Sequence, residues 1–248
     1  MATAKEQRNW LRSPIRDDVE FTSDQQKEIP QPPLTKGAEG LDEIIPLPTV
    51  HHGVIQKADI MAIIHDRVSH RKFKEESIRL EELSYLLWAT QGVKSVKGNN
   101  YATMRMVPSA GARHPFETYV IVNRVEGMKP GIYRYLPLDH QLAYIYTPED
   151  MEAKVTQASL GQKFSGNCAV NFVWSVVPYR GEWRYNTTSH KSMLLDAGHV
   201  CQNLYLACEA IGCGTCAIAA YKQEEFDTLL QLDGEEEFVV YLSPVGRV

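Results

Sequence analysis

The stretch that most constrains the fold is residues 190–221, where a helix-length apolar run leads directly into a loop of small residues. Apolar side chains recur at the three- and four-residue spacing that places them on one face of a helix; they are Leu194, Ala197, Cys201, Leu204, Cys208 and Ile211. Between residues 200 and 211 the other faces are also mostly apolar. Such a helix is buried on most sides, in a core or in a subunit interface. Gly212 is predicted to follow its end in the left-handed conformation.

The loop after this helix contains almost no large side chains. Residues 213–220 read Cys-Gly-Thr-Cys-Ala-Ile-Ala-Ala, so something flat could approach their backbone closely. A tight helix-to-strand connection explains the same residues. Cys213 and Cys216 form a C-x-x-C pair, but a redox dithiol needs a helix that begins at the motif, and here the helix ends before it. No second pair completes a zinc site, so we predict a structural role and no metal.

Composition narrows the class of protein. A chain of 248 residues forms one large domain or two small ones. The net charge of −5 argues against a general nucleic-acid or anionic-membrane binder. No apolar run approaches the roughly 18 residues of a membrane span, and the first residues are too polar for a signal peptide. We therefore expect a cytoplasmic protein whose five cysteines are reduced rather than paired in disulfides.

The chain divides into an arm and a folded domain. Residues 1–56 are rich in proline, which excludes a regular helix or a central strand through most of them. We predict an extended arm that is ordered only where Ile44, Ile45 and Leu47 contact a surface. The folded domain then comprises residues 57–248.

Patterns within the domain predict alternating helices and strands without a strict βαβ order. Helices are expected at residues 58–67 (with Ile60, Ile63 and Ile64 inward), 80–92, 148–159 (with Pro148 in the first turn) and 222–232, besides the long helix. Strands are expected at residues 116–123, 131–146 as a hairpin, 167–177 and 235–246, and loops at 93–104 and 178–188. Hairpin-linked strands pair antiparallel, which indicates an α+β fold with helices packed on a small sheet.

Two further segments have residue types suited to ligand binding. Arg67, Ser69 and Arg71 alternate, so in an extended segment they project to one side and offer two guanidiniums to oxyanions. A solvated basic loop is the alternative. The second segment, residues 105–115, holds small residues between two prolines, which predicts a rigid flat wall with exposed backbone groups.

These two segments and the helix with its loop, in this order, resemble the flavin-dependent nitroreductase family, specifically its SagB-type dehydrogenase branch. The matching motifs are RVSHRKF, PSAGARHP and LDAGH…LACEAIGCGTCAI, and the resemblance covers residues 58–248. It implies a three-layer α/β/α sandwich with a mostly antiparallel sheet. It also implies an arm-exchanged homodimer with one FMN at each end of the interface.

The resemblance assigns roles to individual residues. Arg67 corresponds to the arginine that holds the FMN phosphate, and Ser69 and Arg71 to the residues at the pyrimidine edge of the ring. A cation there favours the anionic reduced flavin. The segment that lines the flavin from the other subunit corresponds to Pro108, Ser109, Ala110 and Gly111. Ala219 and Ala220 correspond to the pair whose backbone N–H groups reach flavin N5 and O4.

Three departures from the family pattern concern the site. Ala112 stands where many members have an asparagine. The usual C-terminal tail with basic phosphate ligands is missing, which leaves Arg247, with Arg105 as a further candidate, to replace it. Arg184 and Tyr185 stand where azoline oxidases have a Lys-Tyr pair. They are candidate catalytic residues, although Arg184 cannot deprotonate near neutral pH, and a loop that only covers the flavin is an equal alternative.

The resemblance implies an FMN-dependent oxidoreductase. Hydride would pass through flavin N5 from NADH or NADPH to a small organic acceptor. One alternative is a dehydrogenase that oxidises azoline-like rings in a peptide. Another is a flavin-binding protein without turnover.

Overall fold

A computed structural model describes residues 3–12 and 22–248, and within them a seven-stranded sheet lies between two layers of helices. The strands are β1 (Ile44–Pro46), β2 (Val93–Lys97), β3 (Ala102–Arg105), β4 (Phe116–Val122), β5 (Gly131–Leu136), β6 (Gln141–Tyr146), β7 (Val170–Val176), β8 (Cys213–Thr215) and β9 (Phe238–Arg247). The sheet order is β1-β6-β5-β4-β7-β9-β8, with every neighbouring pair antiparallel, and β2 and β3 form a separate hairpin.

Helices cover both faces of this sheet. The α-helices are α1 (Ala4–Gln7), α2 (Ile60–Asp66), α3 (Leu80–Gln91), α4 (Met151–Ala158), α5 (Lys163–Gly166), α6 (Tyr179–Tyr185), α7 (Ser189–Ala210) and α8 (Gln223–Leu229). Short 3-10 turns occupy Arg8–Leu11, His52–Val54, Ala110–Ala112 and Asn186–Thr188. The α+β class and the three-layer sandwich that the resemblance implied are confirmed.

The alternation of side chains along the central strands creates two cores. In β4, Val120 and Val122 pack on the side of α3 and α7, whereas Tyr119 and Ile121 pack on the side of α4 and α8. All four side chains are almost fully buried. A strand buried on both faces reads as a continuous apolar run, because successive side chains point to opposite faces.

The long helix α7 is the main element of the first core. Val200 and Leu204 in its middle are buried, and Gly212 follows its end with a φ of +69°, as predicted. Leu194 departs from the prediction, because it is exposed rather than turned inward. Near the start of α7 it lines an open pocket together with Phe116 of β4, Val176 of β7 and Val240 of β9.

Four local predictions were wrong. Residues 178–188 form α6 and a 3-10 turn instead of a loop, and residues 93–104 mostly form the β2–β3 hairpin. The helix expected at residue 148 begins at Met151, so Pro148 lies outside its first turn. In α2 only Ile63 is buried, while Ile60 and Ile64 are 56% and 59% exposed. The three- and four-residue spacing places all three side chains on one face of α2, but only the part of that face at Ile63 packs against the rest of the protein.

The arm lies against the body of its own chain. The backbone N–H of Gln25 donates to the Trp183 carbonyl at 2.9 Å, and the Trp183 indole donates to the Ile29 carbonyl at 2.8 Å. Further along, β1 pairs with β6 at the edge of the sheet, where a proline is tolerated at its end.

The prediction that the arm is ordered only near residues 44–47 is therefore wrong for residues 22–43. These residues are ordered because their backbone carbonyls accept hydrogen bonds from buried donors of the body. The composition of the arm does not reveal such bonds. Residues 1–2 and 13–21 of the predicted arm lie outside the described residues. The domain boundary at residues 56 and 57 stays a prediction.

Candidate functional site

The segment after α2 is held in an extended conformation beside the loop of small residues. Ser69 forms a parallel bridge with Thr215, and the His70 N–H donates to the Thr215 carbonyl at 2.9 Å. This pairing continues the sheet beyond β8. It brings Arg67 and Ser69 next to the start of the 216–220 loop, as the alternating pattern predicted for an extended segment.

Tyr205 of α7 joins the two segments. Its hydroxyl lies 2.9 Å from the Ser69 Oγ and accepts a hydrogen bond from the Ala217 N–H at 2.8 Å. The Arg67 guanidinium carbon lies 5.4 Å from the centre of the Tyr205 ring, within the range of a cation–π contact. Sequence reasoning missed this residue. The sequence signal that could have identified it is a phenol hydroxyl within residues 200–211, which are otherwise mostly apolar.

The 216–220 loop presents unpaired backbone donors. Ala219 and Ala220 are exposed, and within the described part of the chain neither backbone N–H donates a hydrogen bond. The neighbouring Ile218 is tied to Leu242 in both directions, which fixes the loop on the sheet. Two adjacent free donors next to methyl-sized side chains suit the polar edge of a flat ring.

We call Arg67, Ser69, Arg71, Ala219 and Ala220 the first group. Arg71 is exposed, and no carboxylate pairs with Arg67 or Arg71 among the residues that the structure describes. Two unneutralised cations, a hydroxyl and two free amide donors fit the phosphate and pyrimidine edge of FMN.

The second group consists of residues 108–111 and the side chains that contact them, Asp196 and Tyr185. Asp196 of α7 accepts from the Ala110 N–H at 3.0 Å. Burial raises the pKa of Asp196, while hydrogen bonds from Ser109 and Ala110 act in the opposite direction. Gly111 has a φ of +58°, and a Cβ there would lie 2.4 Å from the Tyr185 hydroxyl. Glycine is therefore required at this position both by the backbone and by the ring beside it.

Two arginines lie behind this segment. The Arg113 Nε and the Arg184 Nη1 approach the Gly111 carbonyl at 3.2 and 3.5 Å. Arg113 also donates to the Tyr101 carbonyl at 2.7 Å, and Arg184 to the Tyr101 hydroxyl at 3.0 Å. Arg184 and Tyr185 are placed by α6, whose indole at Trp183 is anchored by the arm.

The two groups do not meet within one chain. Asp196 and Tyr205, which hold them, are nine positions apart on α7. At 1.5 Å and about 100° per residue, they lie roughly 14 Å apart along the axis and on opposite sides of the helix. A ligand that touches both groups would need a second copy of the chain.

The proposed replacement phosphate ligands are bonded internally. The Arg247 Nη2 contacts both carboxylate oxygens of the buried Glu82 at 2.8 and 2.6 Å, and its Nη1 donates to the Ile211 carbonyl. Arg105 is buried and donates to Gln91 and Thr103. The phosphate role of Arg247 stays a prediction.

The cysteines are free and buried. Burial raises the pKa of Cys213 to about 12, so this thiol is protonated near neutral pH. Within the described residues no three or more His, Cys, Asp or Glu side chains cluster as metal ligands. No described helix is long and apolar enough to cross a membrane.

The fold belongs to a known class. Residues 64–247 match the model of the nitroreductase family, and the chain is a member of that family of oxidoreductases. A protein of Methanocaldococcus jannaschii that its name places among the nitroreductases, MJ1384, is 30% identical over 193 residues, which cover 78% of this chain and 93% of that protein.

Two other proteins are similar to this chain, one in sequence and one in fold. The trifolitoxin-processing protein TfxB of Rhizobium leguminosarum is 30% identical over 143 residues, 54% of this chain but only 38% of TfxB. A crystal structure of a protein assigned to the nitroreductases from Ralstonia eutropha superposes with a TM-score of 0.68 at 24% identity. It covers 84% of this chain and 90% of the other, which shows a shared fold.

Proposed function

We propose that this protein is an FMN-dependent oxidoreductase. The observation that supports this most is the meeting of Arg67, Ser69 and the Ala217 N–H at Tyr205. The free amide donors of Ala219 and Ala220 follow two and three residues after Ala217 on the same loop. Bound FMN would supply two-electron hydride chemistry. Arg67 would hold its phosphate, Ser69 and Arg71 its pyrimidine edge, and Ala219 and Ala220 the N5 and O4 edge.

The residues of the chain would orient the flavin and stabilise the charge that develops on it. A guanidinium near the pyrimidine edge stabilises negative charge that develops there during reduction. The small side chains at residues 219 and 220 leave room for a substrate above the ring. The reductant we propose is NADH or NADPH, and the acceptor is a small organic molecule that uses the same position after the oxidised nicotinamide leaves.

The homodimer is part of this proposal. Six apolar side chains of α2, α7 and the adjoining segment are more than half exposed in one chain, namely Ile60, Met61, Ile64, Val68, Leu194 and Leu195. Large exposed apolar side chains in this number on two helices suit an interface. A second copy would cover them and would bring residues 108–111 of one chain toward the first group of the other.

Two alternatives to this function are a peptide dehydrogenase and a flavin-binding protein without turnover. The first has specific support: TfxB is named for processing a toxin, which favours a SagB-type dehydrogenase that oxidises azoline-like rings in a peptide, with Arg184 and Tyr185 as candidate catalytic residues. Anaerobic mixing with NADH or NADPH separates the proposed oxidoreductase from a protein without turnover, because rapid loss of flavin absorbance that an acceptor restores requires turnover.

We expect the purified protein to be yellow, with one FMN per chain. The flavin is measured by its absorbance after release from a known amount of protein. A colourless protein that gains no flavin absorbance on incubation with FMN would contradict the proposal.

We expect Tyr205→Phe to weaken FMN binding about three- to tenfold. The hydroxyl orders both Ser69 and the Ala217 N–H, and the net value of such a hydrogen bond is about 0.5–1.5 kcal/mol. Fluorescence titration of apoprotein with FMN measures the change. The matched control is Tyr144→Phe on β6, away from the site, where the tyrosine hydroxyl bonds to Thr147. Equal affinities for Tyr205→Phe and the control would show that Tyr205 does not position this site.

A further inference from the structure

We propose that Arg184, Arg113 and Tyr101 form a binding site for an anionic group, a carboxylate or a phosphate, on the substrate. The placement of this site beside the flavin rests on the function proposed above. The three side chains come from different elements: Arg184 from α6, Arg113 from the segment after the Gly111 turn, and Tyr101 from the tip of the β2–β3 hairpin.

The first observation is a pair of like charges without a counterion. Among the described residues, no carboxylate lies within 4.0 Å of either guanidinium. The acids close in sequence, Glu182 and Asp196, pair with His190 and His199. Burial lowers the pKa of Arg113, and the nearby Arg184 acts in the same direction, while Tyr101 opposes it. An anion between them would remove this repulsion.

The neighbouring imidazole does not add to this charge. Burial, followed by Arg105 and Arg113, lowers the pKa of His114 to about 3, so its ring is neutral near neutral pH. The local positive charge therefore belongs to the guanidiniums.

Aromatic rings contact both guanidiniums of the cluster. The Arg113 guanidinium carbon lies 4.8 Å from the Tyr101 ring centre and 5.4 Å from that of Trp183. Arg184 lies 5.3 Å from the Tyr185 ring. Aromatic faces attract cations, so these contacts hold both guanidiniums in place without neutralising them. A preorganised site loses little side-chain entropy when a ligand binds.

Hydrogen-bond donors remain available. The Tyr101 hydroxyl accepts from the Gln25 Nε2 at 2.8 Å and from the Arg184 Nη1 at 3.0 Å. With both lone pairs engaged, its own O–H needs an acceptor, and no described residue supplies one. The Arg184 Nε and Nη2 also donate no hydrogen bond within the described residues. A guanidinium edge and a phenol proton suit a carboxylate or phosphate oxygen.

The site adjoins the wall that the family resemblance places against the flavin. Arg113 and Arg184 both contact the Gly111 carbonyl, and Tyr185 lies over Gly111 itself. An anion held by Arg184 would lie at the rim of this wall. The first group already provides Arg67 and Arg71 for FMN, so the second cationic site is left for the substrate.

Calorimetry on the purified protein, with or without its flavin, tests the site directly. Benzoate is the probe, and benzamide is its uncharged match. We expect wild-type protein to bind benzoate and Arg184→Gln to bind it about ten- to a hundred-fold more weakly, the range for a hydrogen bond to a charged group. Tyr101→Phe should lie between them. Arg124→Gln removes one positive charge at the far end of β4 and should bind benzoate as wild type does.

Kinetics then distinguish the sources of the anion. If the acceptor carries it, Arg184→Gln lowers the ratio of kcat/KM for 4-nitrobenzoate to that for 4-nitrobenzamide about tenfold or more. If the reductant carries it, the ratio for NADPH to NADH falls instead. The ratios cancel any effect of the substitution on the chemical step.

Three outcomes would overturn the proposal. The first is wild-type protein that binds benzoate no better than benzamide. The second is an equal loss in Arg124→Gln. The third is a loss of FMN affinity in Arg184→Gln with the kinetic ratios unchanged, which would make Arg184 a cofactor ligand. A colourless protein that still binds benzoate through Arg184 would contradict the flavin proposal and leave the anion site standing.

Discussion

Replacing Arg67 with alanine is expected to weaken FMN binding about ten- to a hundred-fold. Arg67 is half-buried at the end of α2, with its guanidinium over Tyr205 and no carboxylate partner among the described residues. A hydrogen bond to a charged group contributes about 1.5–3 kcal/mol, and each 1.4 kcal/mol is about tenfold in affinity. Flavin titration of apoprotein measures the loss. Turnover at saturating FMN should recover, because the residues proposed to contact the ring are untouched.

The matched control for this substitution is Lys72→Ala. Lys72 lies on the same segment and has the same charge, but it is out of phase with Arg67, Ser69 and Arg71 and so projects to the other side. Its removal should leave FMN affinity near that of wild type. Normal FMN binding by Arg67→Ala would show that another residue holds the phosphate. An equal loss in both variants would indicate a general electrostatic effect.

Gly198→Arg is expected to convert a dimer into monomers and to abolish stable flavin binding. Gly198 lies on the exposed face of α7, and a Cβ there has nothing within 4 Å in the single chain. Replacing an exposed glycine in a helix interior stabilises an isolated chain by roughly 0.5–1 kcal/mol. If a second copy packs on this face, a long charged side chain would separate the two helices. The site would then lose the partner's 108–111 segment.

Sedimentation across micromolar dilution, with flavin content measured on the same samples, tests this expectation. Ala153→Arg, on the exposed side of α4 in the opposite helical layer, is the control for adding an arginine and should remain a flavin-bound dimer. A Gly198→Arg protein that stays dimeric would show that the interface lies on another surface of the chain. A monomeric wild type in which Gly198→Arg raises the melting temperature would show that the exposed face has no partner.

Local pattern determined much of the architecture. The three- and four-residue spacing across residues 197–211 predicts α7, and Gly212 predicts its end, because both follow from the geometry of one helix. The hairpin of β5 and β6 and the strands β7 and β9 follow from apolar runs broken by turn residues. The alternation also predicted correctly that Arg67 and Ser69 share a side, since both contact Tyr205; the placement of Arg71 on that side stays a prediction.

Tertiary contacts decided the rest. Residues 178–185 contain a glycine and mixed polarity, and they form α6 where Arg180 and Trp183 donate to carbonyls of the arm. The arm in turn is ordered by those donors, although its composition predicts little structure. The conformation of neither segment is determined by its own residues alone. Each segment provides the hydrogen-bond partners of the other, and the two lie more than a hundred positions apart in the sequence.

The same reason separates the site residues that could be predicted from those that could not. Arg67 and Gly111 stand in motifs whose spacing is visible in the sequence. Tyr205, Tyr101 and Arg113 act through partners distant in the chain, as when the Tyr205 hydroxyl joins Ser69 to Ala217. A short motif determines the conformation of its own backbone, so it can be recognised in the sequence. A hydrogen bond between distant elements forms only after the sheet and α7 have brought the donor and the acceptor together.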